Sequence, residues 1–304
     1  AALAAAAAAA AAPALCRAKK PRLDTMTETQ RHGLLCFLKG KMESAGGYRH
    51  CCLPPEARNG TCAVVSNSGA LLKHRPPLGE EIDRHEFVIR MNDAPIQGFE
   101  RHVGSSRSVR VGWNQSRKSK RELHVFCNQN WKRERSYAKT HPKMQLLGID
   151  CDVPKIGGLL EQLYPNKLGS RGKTGRVTTG AEAMFLALAS CGAVDAYEMV
   201  PSRHAKASHF HYYGELAGMQ NSYGQNAYHA TWASEHDLWA RLARQPLDEL
   251  KRTGKATIEG FRRLSGCAPD SGSRRIAFRK PYFVDWRLES EWRPAPDLPS
   301  DARA

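Results

Sequence analysis

The sequence predicts an α/β fold, a single domain in which helices flank a largely parallel central sheet. Short runs rich in β-branched and aromatic residues, each bounded by Gly, Asn, Asp or Pro, recur from about residue 60 onwards. Several of these runs are apolar at consecutive positions, as in strands that are buried on both faces. Helical stretches lie between the runs, and strands that alternate with helices are typical of a parallel sheet.

The individual elements follow from the same runs. Strands are predicted at 62–66, 86–92, 108–113, 123–128, 144–150 and 194–200. A helix is predicted over 180–192, because good helix formers follow Thr178 or Thr179 as the N-cap and Gly192 ends the run. A second helix is predicted over 230–244.

Composition and charge limit the choice of partners. The formal net charge of +16 favours an anionic partner, such as a nucleic acid, an acidic lipid surface or an anionic substrate, although a basic surface alone would explain it equally well. No run of about 18 strongly apolar residues is present, so no complete membrane span is predicted. We predict a low-complexity tail at 1–30, a folded domain at 31–267 and a C-terminal extension at 268–304.

The cysteines and one sequon indicate the compartment. Nine scattered cysteines suit either disulfides in an oxidising compartment or buried thiols. No CxxC pair or tight Cys/His spacing occurs, so we predict no structural zinc site. Asn59-Gly60-Thr61 is a sequon, which predicts glycosylation of Asn59 and favours the secretory route.

The stretch TCAVVSNSGALL (61–72) reads as a strand, a tight turn and an amphipathic segment, as at the start of a Rossmann-like nucleotide-binding unit. Gly69 would allow close approach of a ligand to the backbone, and Asn67 offers both donors and acceptors. The stretch lacks the GxGxxG spacing of dinucleotide sites and the GK[ST] of a P-loop. It is therefore a weak signal when taken alone.

Two further stretches carry candidate chemistry. Thr178, Thr179 and Gly180 lie at a predicted helix start, where free amides and the helix dipole favour an anion, although a plain N-cap is the simpler interpretation. His229 precedes the second predicted helix, and Glu235 lies about two turns further on. Histidine is a natural base near neutral pH and a carboxylate can orient it, although a single histidine is more often structural.

Four separated stretches together resemble the eukaryotic Golgi sialyltransferases, glycosyltransferase family 29. Residues 62–104 resemble the long donor-binding motif of that family, and residues 177–199 resemble its short motif. HYYG (211–214) is similar to the third motif, and His229 with Glu235 is similar to the very short motif. Four motifs in the right order over about residues 36–267 are much more specific than any one of them.

The branch of the family that the chain most resembles is the β-galactoside α-2,6-sialyltransferases, through VDAYEMVPS (194–202) and GKATIEGFR (254–262). The resemblance implies a variant GT-A-like fold and transfer of sialic acid from CMP-sialic acid to a terminal galactoside of a glycan, with inversion and without a metal or other cofactor. It also implies a Golgi lumenal location as a type II membrane protein, with an amino-terminal anchor that is not seen in this chain. No nucleic-acid partner is expected from it.

The resemblance also implies roles for individual residues. Donor-binding residues would be Asn67, Asn92, Asn114, Thr178, Thr179, Gly180, His211 and Tyr212. Tyr228 would help to hold the departing phosphate, His229 would be the general base, and Glu235 would be its supporting acid. Disulfides would join Cys62 to Cys191 and Cys36 to Cys267.

Two positions depart from the family pattern. Val177 stands where the short motif usually begins with Pro. The spacing from His229 to Glu235 is one residue longer than usual, and on a helix one residue rotates a side chain by roughly 100°. His229 is therefore a stronger candidate than Glu235.

Three alternative functions remain open at this point. Asp150-Cys151-Asp152 has the D-x-D form that holds Mg²⁺ or Mn²⁺ in metal-dependent glycosyltransferases. The basic clusters at 117–122 and 131–135 would suit a non-catalytic polyanion or nucleic-acid binder. The unusual spacing before Glu235 would also suit a degenerate sialyltransferase fold that binds glycans without catalysis.

Overall fold

The computed structural model describes residues 26–44, 53, 60–106, 109–112, 122–127, 145–149, 153–164, 177–214 and 231–269. Within them the strands are β1 (Thr61–Val65), β2 (Phe87–Met91), β3 (Val109–Val111), β4 (Leu123–Cys127), β5 (Gln145–Ile149), β6 (Ala193–Tyr197) and β7 (Lys255–Glu259). The α-helices are α1 (Glu28–Ser44), α2 (Gly79–Asp83), α3 (Glu100–Val103), α4 (Val153–Leu163), α5 (Thr179–Ser190), α6 (Trp232–Leu242) and α7 (Leu247–Thr253). Two 3₁₀ helices are η1 (Gly69–Lys73) and η2 (Arg203–Ala207).

The strands form one sheet in the order β5-β4-β3-β2-β1-β6-β7. All neighbouring pairs are parallel except β6 and β7, which are antiparallel. The predicted α/β class with a largely parallel sheet is therefore confirmed, and all six predicted strands are present. Strand β7 was not predicted.

Both faces of the sheet are covered, because alternate residues of each strand point to opposite sides. In β1, Cys62 and Val64 belong to the core that includes residues of α1, α4, α5 and α6. Ala63 and Val65 belong to a second core on the other face, together with residues of η1, α2 and α3. This two-sided burial explains why the strand sequences are apolar at consecutive positions.

Helix α5 lies in the centre of the first core. Its side chains are buried almost all round, as expected for an apolar helix in a protein interior. Thr178 is its N-cap, since Thr178 Oγ1 accepts a hydrogen bond from Ala181 N at 3.0 Å. The helix ends at Ser190, two residues before the predicted stop at Gly192.

Two disulfides join distant parts of the chain. Cys62 at the start of β1 is bonded to Cys191, which follows α5. Cys36 in α1 is bonded to Cys267, eight residues beyond the end of β7. These are the two pairs that the family resemblance implies.

The outer edge of the sheet carries a polar network rather than an apolar surface. Asp195 in β6 accepts a hydrogen bond from Thr257 at 2.6 Å and pairs with Lys255 at 2.9 Å and His85 at 3.1 Å. Burial alone would raise the pKa of Asp195, but these hydrogen bonds lower it to about 2. None of the helices in the described ranges has the length and apolar character that a membrane crossing requires.

Candidate active site

The sheet order creates a crevice beside β1. The chain passes from β1 to β5 on one side and returns to β6 on the other, so the strand order reverses between β1 and β6. In open parallel sheets, ligands bind at the carboxyl ends of the strands beside such a reversal. Asn67, Asn92 and Glu198 follow β1, β2 and β6 at this edge. Asn92 and Glu198 both have positive φ, at 50° and 55°, which is uncommon for residues other than glycine.

The HYYG motif packs directly on the loop that follows β1. Tyr212 N donates to Asn67 O at 2.8 Å, and Gly69 N donates to His209 O at 3.0 Å. A Cβ atom at Gly69 would lie 2.5 Å from His209 O, so this approach requires glycine. The structure thus brings together two motifs that lie far apart in the sequence.

Two polar atoms in this region are buried and lack a partner among the described residues. They are Asn67 Oδ1 and His211 Nδ1. The Asn67 amide donates to Tyr213 Oη at 3.4 Å, and the His211 ring stacks on Tyr213 with centroids 5.0 Å apart. Burial lowers the pKa of His211 to about 4, so its ring is neutral at pH 7. Unpartnered buried polar atoms are rare in native proteins, and a ligand is one explanation for them.

The two tyrosines of the motif have different environments. Tyr212 is only 6% exposed, its hydroxyl donates to Pro95 O at 2.5 Å, and its ring packs against Phe99. Tyr213 instead lies beside Asn67 and His211. Tyr212 therefore supports the motif from the core, and sequence reasoning missed Tyr213. A pair of adjacent tyrosines gives no local signal of which one is turned towards a site.

Asn92 is held in place by a buried ion pair that the sequence analysis also missed. Arg110, in the middle of β3, donates to Asn92 O at 2.7 Å and to Ala94 O at 3.1 Å. The same guanidinium makes two hydrogen bonds with Glu122, at 3.1 and 2.8 Å. Asn92 N donates to Val111 O at 2.8 Å. Both the N–H and the C=O group of Asn92 therefore form hydrogen bonds within the protein.

The start of helix α5 lies at the same edge of the sheet. A Cβ atom at Gly180 would lie 2.9 Å from Met199 Cε and 3.6 Å from Met91 Sδ, next to the ends of β6 and β2. In the first turn, Thr178 Oγ1 binds Ala181 N, whereas the helix itself does not use the amides of Thr179 and Gly180. These two amides are available in principle for an anion.

Glu235 contacts this helix start. The residue is only 1% exposed. Its carboxylate accepts hydrogen bonds from Thr178 N at 2.9 Å and from Thr178 Oγ1 at 2.5 Å. It also accepts one from Thr231 Oγ1 at 2.7 Å. The Thr178 hydroxyl therefore donates to Glu235 and accepts from Ala181, so it is already engaged on both sides. The site predicted around Thr178 thus contains Glu235 itself.

Several predicted residues lie outside the described ranges, so their placement stays a prediction. They are Asn59, Asn114, Tyr228, His229 and the Asp150-Cys151-Asp152 motif. Within the described ranges, no three His, Cys, Asp or Glu side chains are grouped so as to hold a metal ion.

Comparison with known proteins identifies the family. A family model described as glycosyltransferase family 29 (sialyltransferase) matches residues 46–147 and 159–247, more than half of the chain. The chain belongs to glycosyltransferase family 29. All four motifs quoted above overlap the matched segments of this family 29 chain.

Curated relatives are similar over about two thirds of this family 29 chain. It is 27% identical over 245 residues to β-galactoside α-2,6-sialyltransferase 2 of Takifugu rubripes, covering 68% of this chain and 42% of the relative. It is 25% identical over 233 residues to β-galactoside α-2,6-sialyltransferase 1 of Homo sapiens, covering 67% and 55%. The chain therefore spans about half the length of the curated relatives it matches.

Two solved structures are also similar to the chain. One is described as a mammalian sialyltransferase, with a TM-score of 0.46, 19% identity, and coverage of 71% of this chain and 77% of that one. The other is a mammalian sialyltransferase in complex with Gal-β-1-3GalNAc-ortho-nitrophenol, with a TM-score of 0.39, 21% identity, and coverage of 53% and 63%.

Proposed function

We propose that this family 29 chain transfers sialic acid from CMP-sialic acid to a terminal galactoside of a glycan, with inversion and without a metal. The observation that carries the proposal is the family match across both halves of the sheet. It covers Asn67 and the start of α5, which both border the crevice where an open α/β sheet binds its ligand.

The chemistry requires a base and a stabilised leaving group. The acceptor hydroxyl oxygen forms a bond to the anomeric carbon of sialic acid, and the bond from that carbon to the CMP phosphate oxygen breaks. CMP leaves with the electron pair, and the hydroxyl proton passes to His229. Donors arranged in advance around the phosphate stabilise the charge that develops on it.

Chain connectivity supports His229 as this base. His229 precedes Thr231 by two residues, so their Cα atoms are at most about 7 Å apart. Thr231 and Thr178 bind the same carboxylate of Glu235, next to the start of α5. The proposed base therefore adjoins, along the chain, a segment that contacts the start of α5.

The proposed donor contacts follow from the crevice. Asn67 and Asn92 border it from the strand ends and His211 from the HYYG motif, while Thr179 and Gly180 offer amides from the helix start. Tyr213 joins them because it contacts both Asn67 and His211. Two further family positions, Asn114 and Tyr228, complete the proposed set of donor-binding residues. In this proposal Thr178 and Tyr212 do not contact the donor but hold the site in place, through hydrogen bonds to Glu235 and to Pro95 O.

Linkage and location are part of the same proposal. The named relatives are β-galactoside α-2,6-sialyltransferases, which supports α-2,6 linkage to galactose in this chain. Two disulfides and the sequon at Asn59 suit an oxidising secretory compartment. We propose residence in the Golgi lumen on that basis.

The test is incubation with CMP-sialic acid and a panel of galactosides, followed by linkage analysis of the product. We expect an α-2,6-sialylated galactoside, equal rates with and without excess EDTA, and loss of turnover in His229→Ala. The control is His32→Ala, a histidine of α1 that bonds to Ser265 O. Absence of any sialylated product from a folded protein would refute the proposal, and loss of activity in EDTA would favour a metal-dependent reaction at Asp150-Cys151-Asp152.

A further inference from the structure

A buried carboxylate at the end of β6 takes no part in the proposed chemistry. Glu198 follows β6 directly and is only 4% exposed. Its φ of 55° is strained for a residue with a side chain, and its N–H donates to Gly254 O at 2.6 Å. Strained residues persist where the surrounding structure fixes them, and they cluster at functional sites. Glu198 is therefore a candidate for a role in the site.

The two carboxylate oxygens of Glu198 bind two different segments. Oε1 accepts from His74 Nε2 at 2.6 Å, and both side chains are almost fully buried. Oε2 accepts from Ser202 N at 3.1 Å. His74 is the C-cap of η1 and Ser202 is the N-cap of η2. The His74 ring also packs edge-on against His204 of η2, with centroids 5.0 Å apart. One carboxylate thus joins the end of η1 to the start of η2.

The same two segments meet again at the crevice. Helix η1 begins two residues after Asn67, and the HYYG motif follows η2. Asn67 O accepts from Tyr212 N at 2.8 Å, and Gly69 N donates to His209 O at 3.0 Å. Because η1 has five residues with a rise of about 2 Å each, its two ends are roughly 10 Å apart. The two segments are therefore bonded to each other at the crevice, and both are bonded to Glu198 at the other end of η1.

The turn between α7 and β7 closes over this ion pair. Gly254 in the turn has a φ of 61°, and a Cβ atom there would lie 2.2 Å from Glu198 Oε1 and 3.3 Å from His74 Nε2, so glycine is required. Glu198 lies in the stretch 194–202, and Gly254 opens the stretch 254–262. The two stretches that most resemble the α-2,6 branch thus contact each other at this carboxylate.

We propose that Glu198 is a positioning residue of the donor site, and that its carboxylate holds η1 and η2 together so that Asn67 and the HYYG motif keep their contact. Both oxygens are engaged by His74 and Ser202, so Glu198 acts through these segments rather than by contact with the donor. The inference rests on the proposed function for the identity of the ligand, because Asn67 and His211 are proposed donor contacts. Loss of the carboxylate should let the two segments separate and should weaken donor binding.

Three substitutions of Glu198 separate positioning from stability. Glu198→Ala removes the carboxylate but keeps a side chain at positive φ, whereas Glu198→Gly removes the carboxylate and relieves the strain. Glu198→Gln is the conservative variant, because its carbonyl can accept from Ser202 N and its amide can donate to a neutral His74 ring. Asp195→Ala is the matched control, since it removes a half-buried carboxylate of β6 whose ion-pair partners lie outside η1 and η2.

The first readout is amide hydrogen exchange at Gly69 and Tyr212, measured relative to Phe261, whose N–H is bonded to a carbonyl of α5. Relative to Phe261, both amides should exchange at least about tenfold faster in Glu198→Ala and Glu198→Gly, because the two segments open locally. Glu198→Gln and Asp195→Ala should stay within about threefold of the wild-type ratio. An unchanged ratio in Glu198→Gly would overturn the proposal, even where Glu198→Ala does not fold.

The second readout is calorimetric titration with CMP. The Kd should rise at least about tenfold in Glu198→Ala and Glu198→Gly, whereas Glu198→Gln should keep it within about threefold of the wild-type value. Equal Kd values for Glu198→Gly and the wild-type protein would contradict a positioning role in the donor site. Failure of the wild-type protein to bind CMP would refute the proposed function instead, and the exchange ratios would still decide whether Glu198 holds the two segments together.

Discussion

Substitution of Glu235 can separate two roles for its buried carboxylate. The family resemblance makes Glu235 the acid that supports the base, whereas the structure shows its carboxylate bonded to Thr178 and Thr231. These contacts join the start of α6 to the start of α5, so we predict a positioning role for Glu235. Glu235→Gln and Glu235→Ala should therefore have very different effects.

The expected magnitudes follow from three hydrogen bonds. A hydrogen bond to a charged group contributes about 1.5–3 kcal/mol, but bonds that share one carboxylate do not add fully. Glu235→Ala leaves the donors of half-buried Thr178 and buried Thr231 without this acceptor, so we expect the free energy of unfolding to fall by about 3–5 kcal/mol. For a domain of this size that lowers Tm by at least about 6 °C.

Glu235→Gln should cost much less, about 1 kcal/mol. Its carbonyl oxygen can replace Oε1, which accepts from Thr178 N and Thr231 Oγ1. Its amide can replace Oε2, because the Thr178 hydroxyl can turn and accept a second hydrogen bond. The helix start, and with it the amides of Thr179 and Gly180, should stay in place.

Urea unfolding, CMP titration and turnover on a galactoside together test this reasoning. If Glu235 positions the helix start, Glu235→Gln keeps kcat within about tenfold of the wild-type value, while Glu235→Ala loses stability and CMP affinity together. An acid that orients a catalytic histidine behaves differently, since its amide isostere loses on the order of 10⁴ in kcat. A loss of that size in Glu235→Gln, with unfolding and CMP affinity unchanged, would refute the positioning role.

Three further measurements test other parts of the structure. Replacing Cys62 and Cys191 with Ser removes a cross-link across 129 positions. The free energy of unfolding, measured in guanidinium, should fall by about 5 kcal/mol. A digest of the unreduced wild-type protein that lacks the Cys62–Cys191 linked peptide would contradict the disulfide. Asn67→Asp places a negative charge beside the proposed phosphate and should weaken CMP binding at least about tenfold, whereas equal Kd values would remove Asn67 from the donor site. Because the folded pKa of Asp195 is lowered to about 2, its contribution to stability is complete above its ordinary value of 3.8 and is lost as the pH falls towards 2. Asp195→Asn should flatten the plot of unfolding free energy, measured in urea, against pH between 3.8 and about 2. An unchanged plot would contradict the role of the His85–Asp195–Lys255 network.

The strands could be predicted because their environment is uniform. Five of them lie between other strands, and all six predicted strands are recognisable from their apolar runs. Strand β7 differs, since Lys255, Thr257 and Glu259 alternate with the buried Ala256 and Ile258 at the edge of the sheet. Its polar residues bind other polar side chains across the sheet, so no apolar run marks it.

The candidate site was predictable only where its residues follow directly from local structure. Asn67 and Asn92 stand at the ends of recognisable strands, and Thr178 stands at the start of a recognisable helix. The contact of Tyr213 with Asn67 joins residues 146 positions apart, and the bonds of Glu235 to Thr178 join residues 57 positions apart. Such pairs depend on the packing of whole elements, which no local pattern encodes.

The spacing between His229 and Glu235 illustrates the same limit. An extra residue was expected to rotate Glu235 by roughly 100°, which holds only if a continuous helix joins the two residues. Helix α6 begins at Trp232, with Thr231 as its N-cap, so Glu235 lies in the first turn and the helical period applies only from Trp232 onwards. An insertion before Trp232 does not change the orientation of Glu235 towards Thr178, because that orientation is set by the docking of α6 near the start of α5. The longer spacing is therefore no argument against catalysis, and the degenerate-fold alternative loses the observation on which it depended.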